Sequence, residues 1–355
     1  MQVHSINEKL YVEIYTIGYE PMGEGIIIKI KGDRKTLFCG VIDCYETEKQ
    51  NETLNLVKNE RIDLICLTHP DEDHCKGLDR ILKLSDSNTT ILYPNSILYK
   101  NYPKEKSAKK TIKEISKFIK MNKNNFSKPR TISCVGNQNI IDNISFFDVK
   151  DGGIYELQID TYTPLSTIID KRLAKTVLGD KIIGEMENND LSIMMSVTIG
   201  SLKLLFCGDI EDNTIIELDQ YIEKGEEDFF YDIIDYVKIP HHGSDGSKEM
   251  FKLLSNVNKV SNSVSTVYRT SRLPKKEILE MYKRKNGKVF CTGNLNKENN
   301  TNNYGIVKHT FDIINKTVKT ELVENANELW GKSSLIKVGS FQNLLRFQSG
   351  TLKKL

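Results

Sequence analysis

Thr68-His69-Pro70-Asp71-Glu72-Asp73-His74 follows directly on Ile62-Asp63-Leu64-Ile65-Cys66-Leu67. The upstream run is short, apolar and rich in branched side chains, which predicts a buried strand. The downstream run puts two imidazoles and three carboxylates into seven residues. Ligands of hard and borderline character crowded at a strand end suit a metal ion. Solvation alone gives no reason for such crowding.

The same arrangement recurs downstream. A predicted strand over 236–239 leads into Lys238-Ile239-Pro240-His241-His242-Gly243-Ser244, and another over 203–207 leads into Gly208-Asp209. The chain has only six histidines, and four of them fall in these motifs. Three strand ends bearing ligand-type side chains converge on one sheet edge, the usual place for a site built by loops on a rigid scaffold.

Taken together these motifs resemble the metallo-β-lactamase fold, and within it the ComEC-like branch, which includes the hydrolase domain of bacterial DNA-uptake proteins. The resemblance is carried by the His69 to His74 loop, Asn189-Asp190-Leu191-Ser192-Ile193-Met194-Met195, Leu205-Phe206-Cys207-Gly208-Asp209-Ile210 and Pro240-His241-His242-Gly243-Ser244. Gly23-Glu24-Gly25-Ile26-Ile27-Ile28 resembles the branch's opening strand, with Glu24 in place of an aspartate. Val41-Ile42-Asp43 and Val289-Phe290-Cys291-Thr292 resemble two further strands. The likeness runs from about residue 12 to about residue 320 and implies an α/β, four-layer αββα sandwich.

The resemblance implies two divalent ions, Zn²⁺ or Mn²⁺, with Mg²⁺ as a third candidate. His69 and Asp71 would hold the first ion, Asp73 and His74 the second, and Asp209 would bridge them. One of His241 and His242 would complete the second site while the other faces substrate. The working assignment gives His241 to the metal and His242, with Asp73, to catalysis. Two ions ~3.5–4 Å apart clamp a phosphoryl group and activate water, which Asp73 would orient. The chain departs from the wider fold at Asp71, where histidine is commoner, and has no histidine between His74 and His241. Carboxylate in place of imidazole hardens the first site towards Mn²⁺ or Mg²⁺. Asp190 or Asn189 could compensate. Asn189 and Ser244 are candidate substrate contacts, and Asp43 reads as a structural carboxylate. No G-x-S-x-G pattern supports a serine nucleophile.

Other predicted strands lie at 26–30, 36–42, 90–93, 191–199, 264–268, 288–291 and 306–313, and helices at 52–59, 77–84, 106–121, 213–223, 248–255 and 275–285. Strands and helices mixed in this way suit two helix-covered sheets better than one parallel sheet. Residues 1–320 are expected to form the hydrolase domain, with a lysine-rich insert at about 95–130, a mixed and loop-rich stretch at 142–187, and an extension at 321–355 that holds the only tryptophan, Trp330.

Within 100–130, eleven Lys or Arg face two Glu. Lys106, Lys109, Lys110, Lys113, Lys117 and Lys120 share one broad helix face, with Ile112, Ile115, Phe118 and Ile119 opposite. Such a face suits a phosphodiester polymer, because neutralising phosphates gives affinity independent of sequence. Tyr99, Tyr102 and Phe126 flank it as candidate stacking residues.

Charged residues are 28% and net charge is +2, the balance of a globular chain. Seven cysteines without a C-x-x-C pair, several in apolar runs, suggest a reducing compartment and packing roles, Cys75 included. No signal peptide or membrane span is evident, so the expectation is a cytoplasmic protein with no membrane partner. The expected activity is metal-dependent phosphodiester hydrolysis, as a nuclease on DNA or RNA. The expected partners are nucleic acid and, through the extension, another protein. The alternatives are a small-molecule hydrolase of the same fold, acting on a phosphate ester, cyclic nucleotide or lactam, or a metal-poor binding module.

Overall fold

The computed structural model describes residues 2–7, 9–33, 35–95, 97, 106–121, 128–178, 188–225, 232–285, 287–293, 295, 303–330 and 336–338. Two nine-stranded sheets form its centre. In the first, the spatial order is Ile336–Val338, Thr317–Glu324, Tyr304–Asp312, Leu10–Tyr19, Glu24–Gly32, Lys35–Ile42, Leu64–Cys66, Thr90–Pro94 and Arg130–Cys134. In the second it is Gln2–Ile6, Gln138–Asp148, Ile154–Thr161, Met195–Ile199, Leu202–Phe206, Tyr236–Lys238, Asn262–Ser265, Lys288–Cys291 and Asn327–Leu329.

Three apolar layers separate these elements. Ile14, Ile28 and Phe38 of the first sheet meet Phe146, Val197 and Phe206 of the second in a core between the sheets. Outside the first sheet, Ile27, Val41 and Ile65 pack under helix residues Leu56, Ile81 and Ile115. Outside the second, Leu205, Val237 and Val289 pack under Ile215, Leu218, Ile278 and Leu279. The central strands are thus covered on both faces, which is why they read as continuous apolar runs rather than alternating ones. The architecture is the expected αββα sandwich.

Each sheet has a parallel half. Lys35–Ile42, Leu64–Cys66, Thr90–Pro94 and Arg130–Cys134 run parallel in one, and Leu202–Phe206, Tyr236–Lys238, Asn262–Ser265 and Lys288–Cys291 in the other. Ligand-type residues follow the carboxyl ends of these strands, where open α/β sheets place their sites.

Two organisational expectations need correcting. The stretch 142–187 is not loop-rich throughout. It contains most of Gln138–Asp148, all of Ile154–Thr161, and the helix Ser166–Leu178. Register shifts around Asn139 to Ile144 break the alternation by which such strands are read. The boundary at 320 falls inside Thr317–Glu324, which pairs with Tyr304–Asp312, and Asn327–Leu329 extends the second sheet. Residues past 320 therefore enter both sheets, while 339–355 lie outside the described residues.

The helix Lys106–Met121 matches its predicted bounds. Ala108 and Ile115 are buried, Ile112, Phe118 and Ile119 pack beside them, and all six lysines are exposed. Tyr99, Tyr102 and Phe126 lie outside the described residues. All seven cysteines are buried and free, and burial pushes the Cys75 thiol well above its ordinary range. No helix among the described residues is long and apolar enough to cross a membrane.

Candidate metal centre

The strand Leu64–Cys66 runs out through Leu67 and Thr68 to His69, after which a single helical turn, Glu72–Cys75, carries Asp73 and His74. Thr111 Oγ1, on the lysine-rich helix, donates to Cys75 O at 2.9 Å and anchors this turn from behind. Asp43, just past the strand Lys35–Ile42, accepts from Thr68 N at 2.7 Å and from Thr68 Oγ1, and takes His74 Nδ1 at 2.8 Å. It fixes both the loop and one imidazole.

From the second sheet comes Asp209, behind Gly208. Gly208 has φ +53°, and a Cβ there would lie 2.4 Å from Ser192 Oγ, so only glycine fits. Asp209 N donates to that same Ser192 Oγ at 2.8 Å. His241 and His242 both adopt left-handed backbone, at φ 44° and 50°. Holding two consecutive non-glycine residues there is costly, and such strain gathers at functional sites. Ser265 Oγ donates to His242 O at 2.9 Å, and His241 N donates to Gly208 O at 3.1 Å, which ties the strained turn to its neighbours.

Three buried imidazoles face inward by the same edge. His69 Nδ1 lies 3.1 Å from Thr68 Oγ1 and 3.3 Å from Ser192 Oγ. His74 Nδ1 donates to Asp43. His242 Nδ1 lies 2.7 Å from Thr266 Oγ1, whose proton goes to Glu24, so this ring donates too. With Nδ1 a donor in His74 and His242, Nε2 of each is left with a lone pair when the ring is neutral. His69 Nε2, His74 Nε2 and Asp209 Oδ1 are buried with no hydrogen-bond partner among the described residues. His242 Nε2 sits 3.1 Å from Asp73 Oδ2 and 3.4 Å from Asp209 Oδ2, and His74 Nε2 is 3.5 and 3.4 Å from the same two carboxylates. Orphaned lone pairs on buried nitrogen and oxygen need an electrophile. This donor set fits a divalent metal ion.

Charge points the same way. Glu24, Asp43, Asp73 and Asp209 are buried carboxylates, and Lys238 is the buried ammonium among them. Burial opposes a charged ring, but Asp209 and Asp73 outweigh it, raising His74 well above its ordinary value and His242 to about 9. Burial likewise opposes ionisation of Asp73, yet His74 and His242 hold it down at about 2. The imidazoles thus take up protons where a metal ion would supply positive charge.

The geometry separates the two adjacent histidines by burial. His242 is the ring buried among Asp73, Asp209, His74 and Glu24. His241 is turned outward, partly exposed, with Nδ1 2.9 Å from Glu211 Oε1. Asp71 is more exposed than the other ligand candidates. Its Oδ2 lies 3.9 Å from His69 Nε2, and Oδ1 accepts from Asn188 Nδ2. Asn189 Nδ2 donates to Glu211 Oε1 at 3.0 Å, and Ser244 Oγ accepts from Gly246 N at 3.2 Å; both residues line the cleft above the cluster. That cleft has a volume of about 290 Å³, with Asp73, Asp209 and His242 among its lining residues and His241, Tyr268 and Lys275 also on its wall.

Sequence reasoning missed Glu24, Lys238 and Thr266 as parts of the site. Lys238 carried a usable signal, since a lysine inside a buried strand needs a carboxylate partner. Thr266 carried none.

No family model matches the sequence, and no curated protein matches it. Among solved structures, a candidate metal-dependent hydrolase from Parabacteroides distasonis aligns over 78% of this chain and 96% of its own, at 13% identity and a TM-score of 0.38. A metallo-β-lactamase from Staphylococcus aureus aligns over 70% of this chain at 14% identity and a TM-score of 0.31, and the match spans 52% of that protein's length. Zn²⁺-bound PqqB from Methylobacterium extorquens aligns over 76% of this chain and 85% of its own, at 8% identity and a TM-score of 0.35. Likenesses this distant transfer neither residues nor reactions, so the chemistry rests on the site's own geometry.

Proposed function

We propose that this chain is a metal-dependent hydrolase of phosphodiesters that acts on nucleic acid. The observation that carries the reading is the set of inward Nε2 atoms of His69, His74 and His242, gathered with Asp73 and Asp209 at an open cleft. His69, His74, Asp73, Asp209 and His242 would hold the metal, with Asp71 at the solvent side. A divalent ion bound there polarises a phosphoryl oxygen and lowers the pKa of water. The chain's own residues do the rest. Asp73 orients the attacking water. Lys275 and His241 on the cleft wall offset charge on the phosphoryl oxygens, and Tyr268, whose ring centroid is 5.1 Å from that of His242, walls the cleft.

Nucleic acid is favoured over a small ester by the exposed lysine face of Lys106–Met121, where, among the described residues, Lys117 pairs with Glu114 at 2.6 Å. The helix that carries this face is anchored through Thr111 to the turn of Asp73 and His74.

The test is cleavage of single- and double-stranded DNA and RNA with added Mn²⁺, Mg²⁺ or Zn²⁺, with Asp73→Ala and His74→Ala as controls. The expected result is metal-dependent cleavage lost in both variants. Changing Lys109, Lys113 and Lys120 to Gln should weaken oligonucleotide binding and flatten its salt dependence by about one unit of log–log slope per lysine. Equal cleavage by wild type and controls would sink the assignment. Hydrolysis of a small diester with no oligonucleotide binding would favour the small-molecule alternative.

A further inference from the structure

One buried network at the site lies behind the metal-facing edge of the rings. Glu24 opens the strand Glu24–Gly32 of the first sheet, while Lys238 closes Tyr236–Lys238 and Thr266 follows Asn262–Ser265 in the second. All three side chains are buried. Glu24 Oε2 takes Lys238 Nζ at 2.8 Å and accepts from Thr266 Oγ1. Thr266 Oγ1 in turn receives His242 Nδ1 at 2.7 Å, and Glu24 Oε2 itself is 3.3 Å from that nitrogen. The other oxygen, Oε1, is 3.8 Å from His74 Nδ1. Glu24 and Thr266 approach the rings at Nδ1, whereas the carboxylates Asp73 and Asp209 meet them at Nε2. Glu24 thus sits on the far side of both rings.

We propose that Glu24 is a positioning residue for the metal centre, fixing through Thr266 which nitrogen of His242 faces the ion. This rests on the metal-dependent reading above and deepens it. Thr266 has one proton and gives it to Glu24, so it can only accept from His242. The ring must then carry its proton on Nδ1 and present Nε2 as a ligand. Lys238 keeps Glu24 ionised and in place, because its ammonium is buried and would otherwise stand unpaired. The network also joins the two sheets at the site, so the ligand geometry depends on how they are docked. Partners of this kind orient a ligating histidine and raise its basicity, and losing one typically costs ~10–100-fold in metal affinity.

The experiment measures the affinity of the full chain for Zn²⁺ and Mn²⁺ alone by competition with a chromophoric chelator, alongside the melting temperature without metal. Glu24→Gln should lower affinity ~10–100-fold. Because that variant strands the Lys238 charge and can fail to fold, Thr266→Val is the second probe. It cuts the link without leaving a buried charge, and should lower affinity ~10-fold while Thr266→Ser restores it. A purely structural network would lower the metal-free melting temperature and leave affinity within twofold of wild type, and that result overturns the proposal. Wild-type protein that binds neither ion overturns both this proposal and the hydrolase reading. Weakened metal binding in the variants of a protein that cleaves no nucleic acid upholds the positioning role and rejects only the substrate.

Discussion

At the scale of single residues, the site is a contest between protons and metal. Without metal, His242 has its pKa raised to about 9 and His74 well above the ordinary value, against the cost of burial, by Asp209, Asp73 and Glu24. Both rings therefore carry protons at neutral pH in the metal-free protein. The sign follows. A histidine raised in the folded state stabilises the fold fully below its unfolded pKa of about 6.5, and that stability is lost as pH rises through the folded value. The metal-free protein should thus melt at progressively lower temperature between pH 6.5 and 9, with His242 alone accounting for a loss of order 3 kcal/mol. The metal-bound protein should not show this decline. Metal affinity should instead rise with pH over the same range, as each bound ion displaces ring protons. Melting curves and chelator competition across that range check both signs, and a metal-free melting temperature that climbs with pH would contradict the charge balance. Much of this was legible in the sequence, because His69, Asp73, His74 and Asp209 stand in short motifs after apolar runs. The order of His241 and His242 was not. Consecutive residues in left-handed backbone point in unrelated directions, and no spacing rule says which ring turns inward.

At the scale of elements, legibility followed periodicity. The helix Lys106–Met121 was readable to its ends because its lysines and isoleucines separate cleanly onto two faces. The strand Leu10–Tyr19 was not among the predicted elements, though nine of its ten residues are buried. Glu13 interrupts its apolar character. Its burial is offset by Lys308 at 3.0 Å on the neighbouring strand and Lys31 at 3.1 Å, which hold the carboxyl at about 2. A charge paired only across strands is invisible to local patterning. The strand Tyr304–Asp312 holds a second such residue. His309 is fully buried against Tyr236, Phe290 and Phe311, and neither ring nitrogen has a hydrogen-bond partner among the described residues. Burial, helped by Lys288, lowers its pKa to about 3. The unfolded chain binds a proton here below about pH 6.5 and the folded chain does not, so acid should cost about 1.4 kcal/mol per pH unit between 6.5 and 3 at this residue. Urea titrations of His309→Leu and wild type at pH 7.5 and 5 should show a smaller acid loss in the variant, and parallel losses would refute a neutral buried ring.

At the scale of the whole molecule, the site is a joint. Asp43, His69, Asp73, His74 and Glu24 belong to or follow strands of the first sheet, and Asp209, His242, Lys238 and Thr266 those of the second. A metal bound among them ties the two halves of the sandwich together at an edge where the apolar core between the sheets gives way to charge. Binding only to the folded state stabilises it by about 2.7 kcal/mol at a free-ion concentration 100 times the Kd. For a chain of this length that is a rise of about 4 °C in melting temperature, given the usual entropy of unfolding per residue. Because the ligands span both sheets, the rise should appear as one cooperative shift, and hydrogen exchange should slow together at the ends of Leu64–Cys66 and Leu202–Phe206. Chelation should reverse both effects, and Asp209→Asn should abolish them. If metal protected the first sheet's strand ends alone, the ion would be held by His69, Asp71, Asp73 and His74 without Asp209 and His242, and the two sheets would not share the site.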